Sequence, residues 1–235
     1  MTEEYRKLVQ TLIKDGYLKT SAIIEAFTAV DRADFVPDEH KDGAYTNAPL
    51  PIGHGQTISQ PLTVAFMLEL LEPNPGEKIL DVGAGSGWTA TLLAFILSKT
   101  KQFNRGTSDV QNIDTPNAGT SDVQKLLVVG IERIPELKNF AEKNISKYGC
   151  IEKGIVKLIR GDGSRGYKRE APYDKILAGA ASDGDIPPAW RNQVKIGGRI
   201  VAPVGASVRV IDKLGKNNYN VKDYFGFSFV PLVRG

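Results

Sequence analysis

Ile-Leu-Asp-Val-Gly-Ala-Gly-Ser-Gly-Trp, residues 79–88, is the stretch of sequence that decides the fold. Three of its first four residues are apolar and partly β-branched, which is typical of a strand covered on both faces. Glycines then stand at 83, 85 and 87, where they permit a left-handed backbone and the close approach of a ligand. Residues 89–97 have helical character, so the unpaired N–H groups of a helix start would face the turn. The pattern predicts a strand–turn–helix unit that holds a ligand, although a glycine-rich corner without a ligand would use the same residues.

The spacing of these glycines narrows the choice of ligand. A dinucleotide-binding turn has the spacing G-x-G-x-x-G, and Trp88 stands where its third glycine would be. A P-loop needs Lys followed by Ser or Thr after its last glycine, and no such pair follows Gly87. The pattern present is D-x-G-x-G-x-G, which begins at Asp81. It resembles the nucleotide-binding loop of S-adenosylmethionine-dependent methyltransferases.

An acidic residue after the second predicted strand supports a nucleotide ligand. The strand-like run at 126–131 ends at Glu132, and in doubly wound folds an acidic residue at this point binds ribose hydroxyls, roughly 20 residues after the glycine turn. Glu132 lies 45 residues after Gly87, but residues 101–125 read as an insertion of 25 residues, which restores that spacing. Taken alone, Glu132 would more simply be a solvated carboxylate near a helix start. With the turn in place we favour the ribose role.

Composition indicates a soluble globular protein. The chain has 235 residues, 41% hydrophobic and 24% charged, which suits one domain of ordinary size. A net charge of +3, with Lys and Arg spread along the sequence, gives little support to nucleic-acid binding. His40, His54 and the lone Cys150 do not make a metal site. Residues 1–10 are polar and charged, and no apolar run reaches the ~18 residues of a membrane span, so we expect no signal peptide and no membrane contact. We expect a cytoplasmic monomer.

The first 72 residues predict helices followed by a loop. Apolar residues between 5 and 13 recur with helical spacing, and a second helix is expected from about residue 21. Residues 49–61 are too rich in Pro and Gly for regular structure, and such a loop often carries functional residues. Ser59 with Pro61 reads as a helix start, with a serine N-cap and an early proline. From these residues alone we favour the capping role of Ser59 over a chemical one.

The same loop carries the most specific resemblance in the chain. The run P-L-P-I-G-H-G-Q-T-I-S-Q-P at 49–61 is similar to the signature of the protein-L-isoaspartate O-methyltransferase family, which generic methyltransferases lack. The resemblance continues through the glycine turn to residues 229–232, and it covers nearly the whole chain apart from 101–125. The active-site serine of the family falls on Ser59. Some animal members carry a cofactor-contacting histidine five places later, where this chain has Val64, so that contact is not carried over.

The resemblance implies roles for the residues that match the family's motifs. Ser59 and Thr57 are expected to orient the carboxylate of the substrate. Asp162 is expected beside the adenine of the cofactor, where its carboxylate can accept a hydrogen bond from the exocyclic amine. Without the resemblance, Asp162 and Gly163 read equally well as an Asp-Gly turn with no ligand. The expected cofactor-binding residues are Gln56, Thr57, Ile58, Asp81, Gly83, Gly85, Ser86, Gly87, Glu132, Arg133, Asp162 and Gly163.

Alternating strand and helix patterns predict the rest of the fold. They favour a doubly wound, mostly parallel, seven-stranded Rossmann-like methyltransferase sheet of the α/β class, with an N-terminal helical extension and a C-terminal antiparallel addition. Beyond the second strand the expected elements are strands at 155–159, 173–181 and 198–204, helices at 135–148 and 187–194, and two C-terminal strands near 208–214 and 225–232.

We expect residues 1–235 to form one methyltransferase domain. Residues 1–72 would supply the N-terminal helices and the substrate loop, and residues 73–235 the cofactor-binding core. Residues 101–125 depart from the family pattern and contain the hexapeptide GTSDVQ twice. Their polar composition predicts a mobile excursion. Because a helix-to-strand connection lies at the sheet edge away from the strand ends that bind ligands, we do not expect this excursion to be a lid.

The family resemblance also implies the reaction. The substrate would be a polypeptide with an L-isoaspartyl residue, whose free α-carboxylate attacks the sulfonium methyl of S-adenosyl-L-methionine and so starts the repair of damaged proteins. An α-carboxyl with a pKa of about 3.3–3.7 is ionised at neutral pH, so no strong general base is required. Two other functions stay open: a methyltransferase for a small molecule or nucleic acid, and a non-catalytic protein that binds the nucleotide.

Overall fold

The structure, a computed structural model, describes residues 1–98 and 126–234, so the predicted excursion at 101–125 lies outside the described residues. The helices in these residues are α1 (Glu3–Lys14), α2 (Ser21–Ala29), α3 (Pro61–Leu71), α4 (Trp88–Leu97), α5 (Pro135–Ser146) and α6 (Pro188–Gln193). The strands are β1 (Leu50–Gly53), β2 (Gln56–Ile58), β3 (Ile79–Val82), β4 (Val128–Glu132), β5 (Val156–Arg160), β6 (Tyr173–Ala178), β7 (Val194–Val204), β8 (Ser207–Gly215) and β9 (Asn218–Phe225). Short 3-10 helices cover Arg32–Phe35, Asp38–Gly43, Gly163–Arg165 and Lys168–Glu170.

A seven-stranded sheet with the order β5-β4-β3-β6-β7-β8-β9 forms the centre of the fold. Strands β3 to β7 pair in parallel, whereas β8 pairs antiparallel with both β7 and β9. The mostly parallel sheet with a C-terminal antiparallel addition is therefore confirmed. The strand order reverses between β3 and β6, which is the point where open α/β sheets bind their ligands.

Alternate residues of β3 face two separate apolar clusters. Ile79 belongs to a cluster that also contains residues of the helices α1 to α5. Leu80 and Val82 belong to a second cluster, together with Trp190 of α6. Because both faces of the strand are covered, it reads in the sequence as a nearly continuous apolar run.

The N-terminal helices pack beside the glycine turn. The ring of Phe27 in α2 meets the ring of Trp88 edge-on, with 5.5 Å between the centroids. After α2, the Asp31 N–H donates to the Tyr148 hydroxyl at 2.9 Å, and this hydroxyl donates to Asp34 Oδ2 at 2.7 Å. Tyr148 follows α5, so these hydrogen bonds fix the segment after α2 against the core.

Residues 49–61 are more regular than expected. They contain an antiparallel hairpin of β1 and β2, so the prediction of a loop without regular structure was wrong. The hairpin turns through Gly53, His54 and Gly55, whose φ angles of 89°, 54° and 69° are all left-handed. Two of these three residues are glycines, which adopt that conformation without strain. The same glycines made the sequence read as a loop.

The predicted serine cap of α3 was also wrong. The helix begins at Pro61, and its N-cap is Gln60, whose side chain makes no capping hydrogen bond. The capping function belongs to a residue distant in sequence, because Asn47 Oδ1 accepts a hydrogen bond from the Leu62 N–H at 3.0 Å. The side chain of Ser59 is therefore not used as a cap.

The C-terminal strands differ in their bounds from the prediction. The first predicted strand near 208–214 corresponds to β8. The second was placed at 225–232, but β9 spans Asn218–Phe225, because β8 and β9 form a tight hairpin in which Gly215 pairs with Asn218.

The single cysteine, Cys150, lies between α5 and β5 and has no exposed surface. Burial raises the pKa of its thiol to about 12. It is a packing residue.

Candidate active site

A cavity opens at the carboxyl-terminal edge of the sheet, at the ends of β3 and β6. Its walls come from five parts of the chain: the hairpin with α3, the glycine turn, the ends of β4 and β5, the end of β6, and the C-terminal segment. The cavity therefore lies at the reversal of strand order, where the topology favours a binding site.

The glycine turn lines one side of this cavity. Gly83, Gly85 and Gly87 have φ angles of 80°, 54° and 88°, a region that residues with side chains rarely adopt. The Gly85 N–H donates to Glu132 Oε2 at 2.9 Å. A Cβ atom at Gly87 would lie 2.8 Å from Ile145 Cγ1 of α5, so this glycine is also needed for packing.

Two buried carboxyl groups stand in the cavity wall, Asp81 and Glu132, which are 2% and 7% exposed. Both oxygens of Glu132 accept backbone N–H groups, Oε2 from Gly85 and Oε1 from Ile134, each at 2.9 Å. Asp81 Oδ2 is buried and has no hydrogen-bond partner among the residues that the structure describes. Burial, and then the charge of Glu132, raises the pKa of Asp81 to about 7. The wall thus offers an unsatisfied carboxyl oxygen to a polar or cationic ligand.

The hairpin and α3 form a second wall of the cavity. Residues 56–59 line the cavity together with Val64 and Met67 of α3. The carbonyl of Ser59 accepts a hydrogen bond from the buried guanidinium of Arg32 at 3.2 Å. The fold therefore brings Thr57 and Ser59 into the same cavity as the glycine turn.

A C-terminal segment, residues 230–233, completes the cavity. Two hydrogen bonds hold it to the chain after β6: the Ala181 N–H donates to the Val230 carbonyl at 2.8 Å, and the Leu232 N–H donates to the Ala181 carbonyl at 2.7 Å. Sequence reasoning assigned no site role to this segment, because its position depends on pairing with residues about 50 positions away. The small residues Gly179 and Ala180 also line the cavity.

All the residues predicted for the site line this cavity except Gly87 and Asp162. Asp162 borders an adjoining depression with Arg133 and Gly161, and its Oδ1 accepts a hydrogen bond from the Ser164 N–H at 2.9 Å. Contact of Gly87 and Asp162 with a cofactor stays a prediction. Sequence reasoning also missed Met67 and Thr89, which line the cavity without any motif to mark them.

Comparison with known proteins identifies the family. The family model described as protein-L-isoaspartate(D-aspartate) O-methyltransferase matches residues 3–235. The chain belongs to this family. A relative from Methanopyrus kandleri named protein-L-isoaspartate O-methyltransferase is 38% identical over 231 residues, which are 97% of this chain and 90% of that protein. One of the same name from Hyperthermus butylicus is 39% identical over 235 residues, 98% of this chain and 89% of that protein.

A solved structure supports the fold. It is the crystal structure of a Plasmodium falciparum protein described as a protein-L-isoaspartate O-methyltransferase, in complex with S-adenosyl-L-homocysteine. It matches with a TM-score of 0.78 at 22% identity, over 98% of this chain and 99% of that chain.

Residues 1–98 and 126–234 contain neither a membrane-spanning helix nor a cluster of metal-binding side chains. No helix in these ranges is both long and apolar enough to cross a bilayer. The same ranges hold no group of three or more His, Cys, Asp or Glu side chains arranged to bind a metal ion.

Proposed function

We propose that this chain transfers a methyl group from S-adenosyl-L-methionine to the free α-carboxylate of L-isoaspartyl residues in polypeptides, as the first step of their repair. The observation that carries the proposal is a single cavity in which the hairpin characteristic of the family faces the glycine turn of a methyltransferase. Family membership over residues 3–235 supports the same reaction.

The residues of the cavity fit the cofactor. When bound, S-adenosyl-L-methionine supplies a methyl group on a positively charged sulfur, which a carboxylate can take by in-line displacement. The acidic lining suits a cationic nucleoside: the unsatisfied Asp81 Oδ2 and the carboxylate of Glu132 can both accept hydrogen bonds. We propose that Glu132 binds the ribose hydroxyls and that Gln56, Ile58, Ser86, Arg133 and Gly163 complete the binding site.

The acceptor side needs orientation more than base catalysis. The α-carboxylate of the substrate is ionised at neutral pH because its pKa is about 3.3–3.7. We propose that the hydroxyls of Ser59 and Thr57, with nearby N–H groups, align this carboxylate and that the cavity excludes water from it. Ser59 is half-buried, so its hydroxyl can reach both the cavity and an entering peptide.

A pair of matched peptides tests the function directly. One peptide contains an L-isoaspartyl residue and its twin contains normal aspartate, and each is incubated with the protein and methyl-labelled S-adenosyl-L-methionine. The proposal predicts base-labile methyl esters on the isoaspartyl peptide and little or none on its twin. Equal labelling of both peptides, or labelling only of nucleic acid or small molecules, would point to a different methyltransferase. Tight cofactor binding without any transfer would point to a binding protein.

A cytoplasmic location, a monomeric state and a single domain of residues 1–235 stay predictions of the sequence. We retain them as part of the proposal.

A further inference from the structure

Arg32 is a fully buried cation near the cavity, with 0% of its surface exposed. Its guanidinium donates to four backbone carbonyls: Nη1 to Ala44 at 2.7 Å and Thr46 at 3.3 Å, and Nη2 to Ala48 at 2.8 Å and Ser59 at 3.2 Å. Burial lowers the pKa of Arg32 to about 10, which leaves it charged at neutral pH. Because a guanidinium presents its donors in one rigid plane, it can fix the relative positions of several carbonyls.

These carbonyls belong to two segments that meet at the start of α3. Asn47 joins them a second time, since its Oδ1 accepts from the Leu62 N–H at 3.0 Å and its carbonyl accepts from Gln60 Nε2 at 2.9 Å. Residues 44–48 and 59–62 therefore form one hydrogen-bonded unit, which we call the serine unit. Arg32 lies inside the serine unit, and Ser59 is the residue of this unit that lines the cavity.

Arg32 also contacts the cofactor side of the cavity. Its Cζ lies 5.6 Å from the centroid of the Trp88 ring, which is within the range of a cation–π interaction. Trp88 lines the cavity and is the first residue of α4, directly after the glycine turn. One side chain thus holds the serine unit and rests on the helix that starts at the turn.

We propose that Arg32 is a positioning residue for methyl transfer. Arg32 sets the placement of Ser59 relative to the glycine turn, because its guanidinium donates to the Ser59 carbonyl and also packs on the Trp88 ring. This inference rests on the proposed function. Arg32 acts through these two residues, so its loss should lower the rate of the aligned reaction rather than the affinity for the cofactor. Misplacement of reacting groups by ~1 Å can cost about 100-fold in rate.

The test compares Arg32→Lys with a control in the same region. Lys keeps the positive charge but offers its three donors at one point, so it cannot hold both the carbonyl pair bonded by Nη1 (Ala44 and Thr46) and the pair bonded by Nη2 (Ala48 and Ser59). The control is Tyr5→Phe, which removes the buried hydrogen bond from the Tyr5 hydroxyl to the Val30 carbonyl and touches none of the four carbonyls. Three quantities are measured well below the unfolding temperature: kcat on an isoaspartyl peptide, its KM, and the Kd for S-adenosyl-L-methionine. Together they distinguish a positioning role of Arg32 from an effect on the stability of the fold.

We expect Arg32→Lys to lower kcat more than about fivefold while the Kd for the cofactor stays within about threefold of wild type. Tyr5→Phe should keep the wild-type kcat. A smaller loss of kcat in Arg32→Lys, or an equal loss in Tyr5→Phe, overturns the inference. If Arg32→Lys does not fold, the exposed Asn47→Ala loosens the same serine unit and should also lower kcat with an unchanged cofactor Kd; an unaltered kcat then overturns the inference.

A readout without catalysis distinguishes this inference from the proposed function. Hydrogen exchange of residues 56–62 should be faster in Arg32→Lys than in wild type and unchanged in Tyr5→Phe. If wild-type protein does not methylate the isoaspartyl peptide, the proposed function fails, and exchange alone decides whether Arg32 holds the serine unit. If hydrogen exchange in Arg32→Lys is the same as in wild type, Arg32 does not hold the serine unit.

Discussion

Asp81→Asn should make the stability of the cofactor-free protein less sensitive to pH. The folded-state pKa of Asp81 is about 7, against 3.8 for the free side chain. Between these values the folded state keeps a proton that the unfolded state has lost, so stability is present at low pH and is lost as pH rises through about 7. At 1.36 kcal/mol per pKa unit, the loss is roughly 4 kcal/mol. Asn has a similar shape and carries no charge, so it should remove this loss.

Thermal unfolding at about pH 5 and about pH 8 measures the effect. Only about two of the pKa units lie above pH 5, so the loss between the two pH values is roughly 3 kcal/mol. A change of 1 kcal/mol shifts Tm by about 2–4 °C in a chain of this size, so the fall in Tm should be roughly 5–10 °C larger in wild type than in Asp81→Asn. Comparing the fall in Tm of wild type with that of Asp81→Asn cancels the contributions of the other titrating groups. An identical pH dependence of Tm in the two proteins would refute the assignment of a raised pKa to Asp81.

The same carboxyl predicts the pH dependence of cofactor binding. A cationic ligand beside Asp81 favours the ionised form of its carboxyl group. Below about pH 7 this group is protonated in the free protein, so binding of the ligand releases its proton. The Kd for S-adenosyl-L-methionine should then rise by up to about tenfold per pH unit on acidification. In Asp81→Asn binding should be weak and nearly independent of pH. Calorimetric titration across this range checks it, and a wild-type Kd that does not change with pH would contradict the proposed contact.

Ser59→Ala should lower turnover of an isoaspartyl peptide by about tenfold or more while calorimetry gives an unchanged Kd for the cofactor; a loss of cofactor binding would contradict the role of this hydroxyl on the acceptor side. Gly87→Ala should destabilise the fold by roughly 2–4 kcal/mol, because φ is 88° and the new Cβ would lie 2.8 Å from Ile145 Cγ1; chemical denaturation would measure it, and a stability equal to wild type would show that α5 can shift. Deletion of 103–122 should leave kcat/KM within about tenfold of wild type, since the Leu97 carbonyl accepts from the Gly76 N–H and α4 therefore ends at the sheet edge opposite the cavity; a larger loss would argue for a catalytic contribution of the deleted residues.

The sequence predicted the features that depend on local pattern. The glycine turn was readable because a left-handed backbone requires glycine at 83, 85 and 87. The parallel strands were readable because β3 and β4 are buried on both faces and are nearly all apolar. Glu132 could be placed at the cavity because a strand end fixes where its last side chain lies.

The features that escaped prediction depend on contacts between distant residues. An arginine in sequence reads as a surface charge, and nothing local indicates that Arg32 is buried among carbonyls up to 27 positions away. The cap of α3 was assigned to Ser59 because the structural cap, Asn47, is not adjacent to the helix. Residues 230–233 reach the cavity by pairing with Ala181, and the two short strands of the hairpin left no periodic signal.

The burial of Cys150 gives this protein an internal reporter of conformational opening. It is the single cysteine of the chain, and its thiol is inaccessible in the native state and protonated near neutral pH because its pKa is about 12. A thiol-modifying dye should therefore react only when the packing between α5 and β5 opens. Ile145 of α5 also packs against the glycine turn. The rate of dye incorporation under native conditions would therefore report how often the packing of α5 against that turn opens.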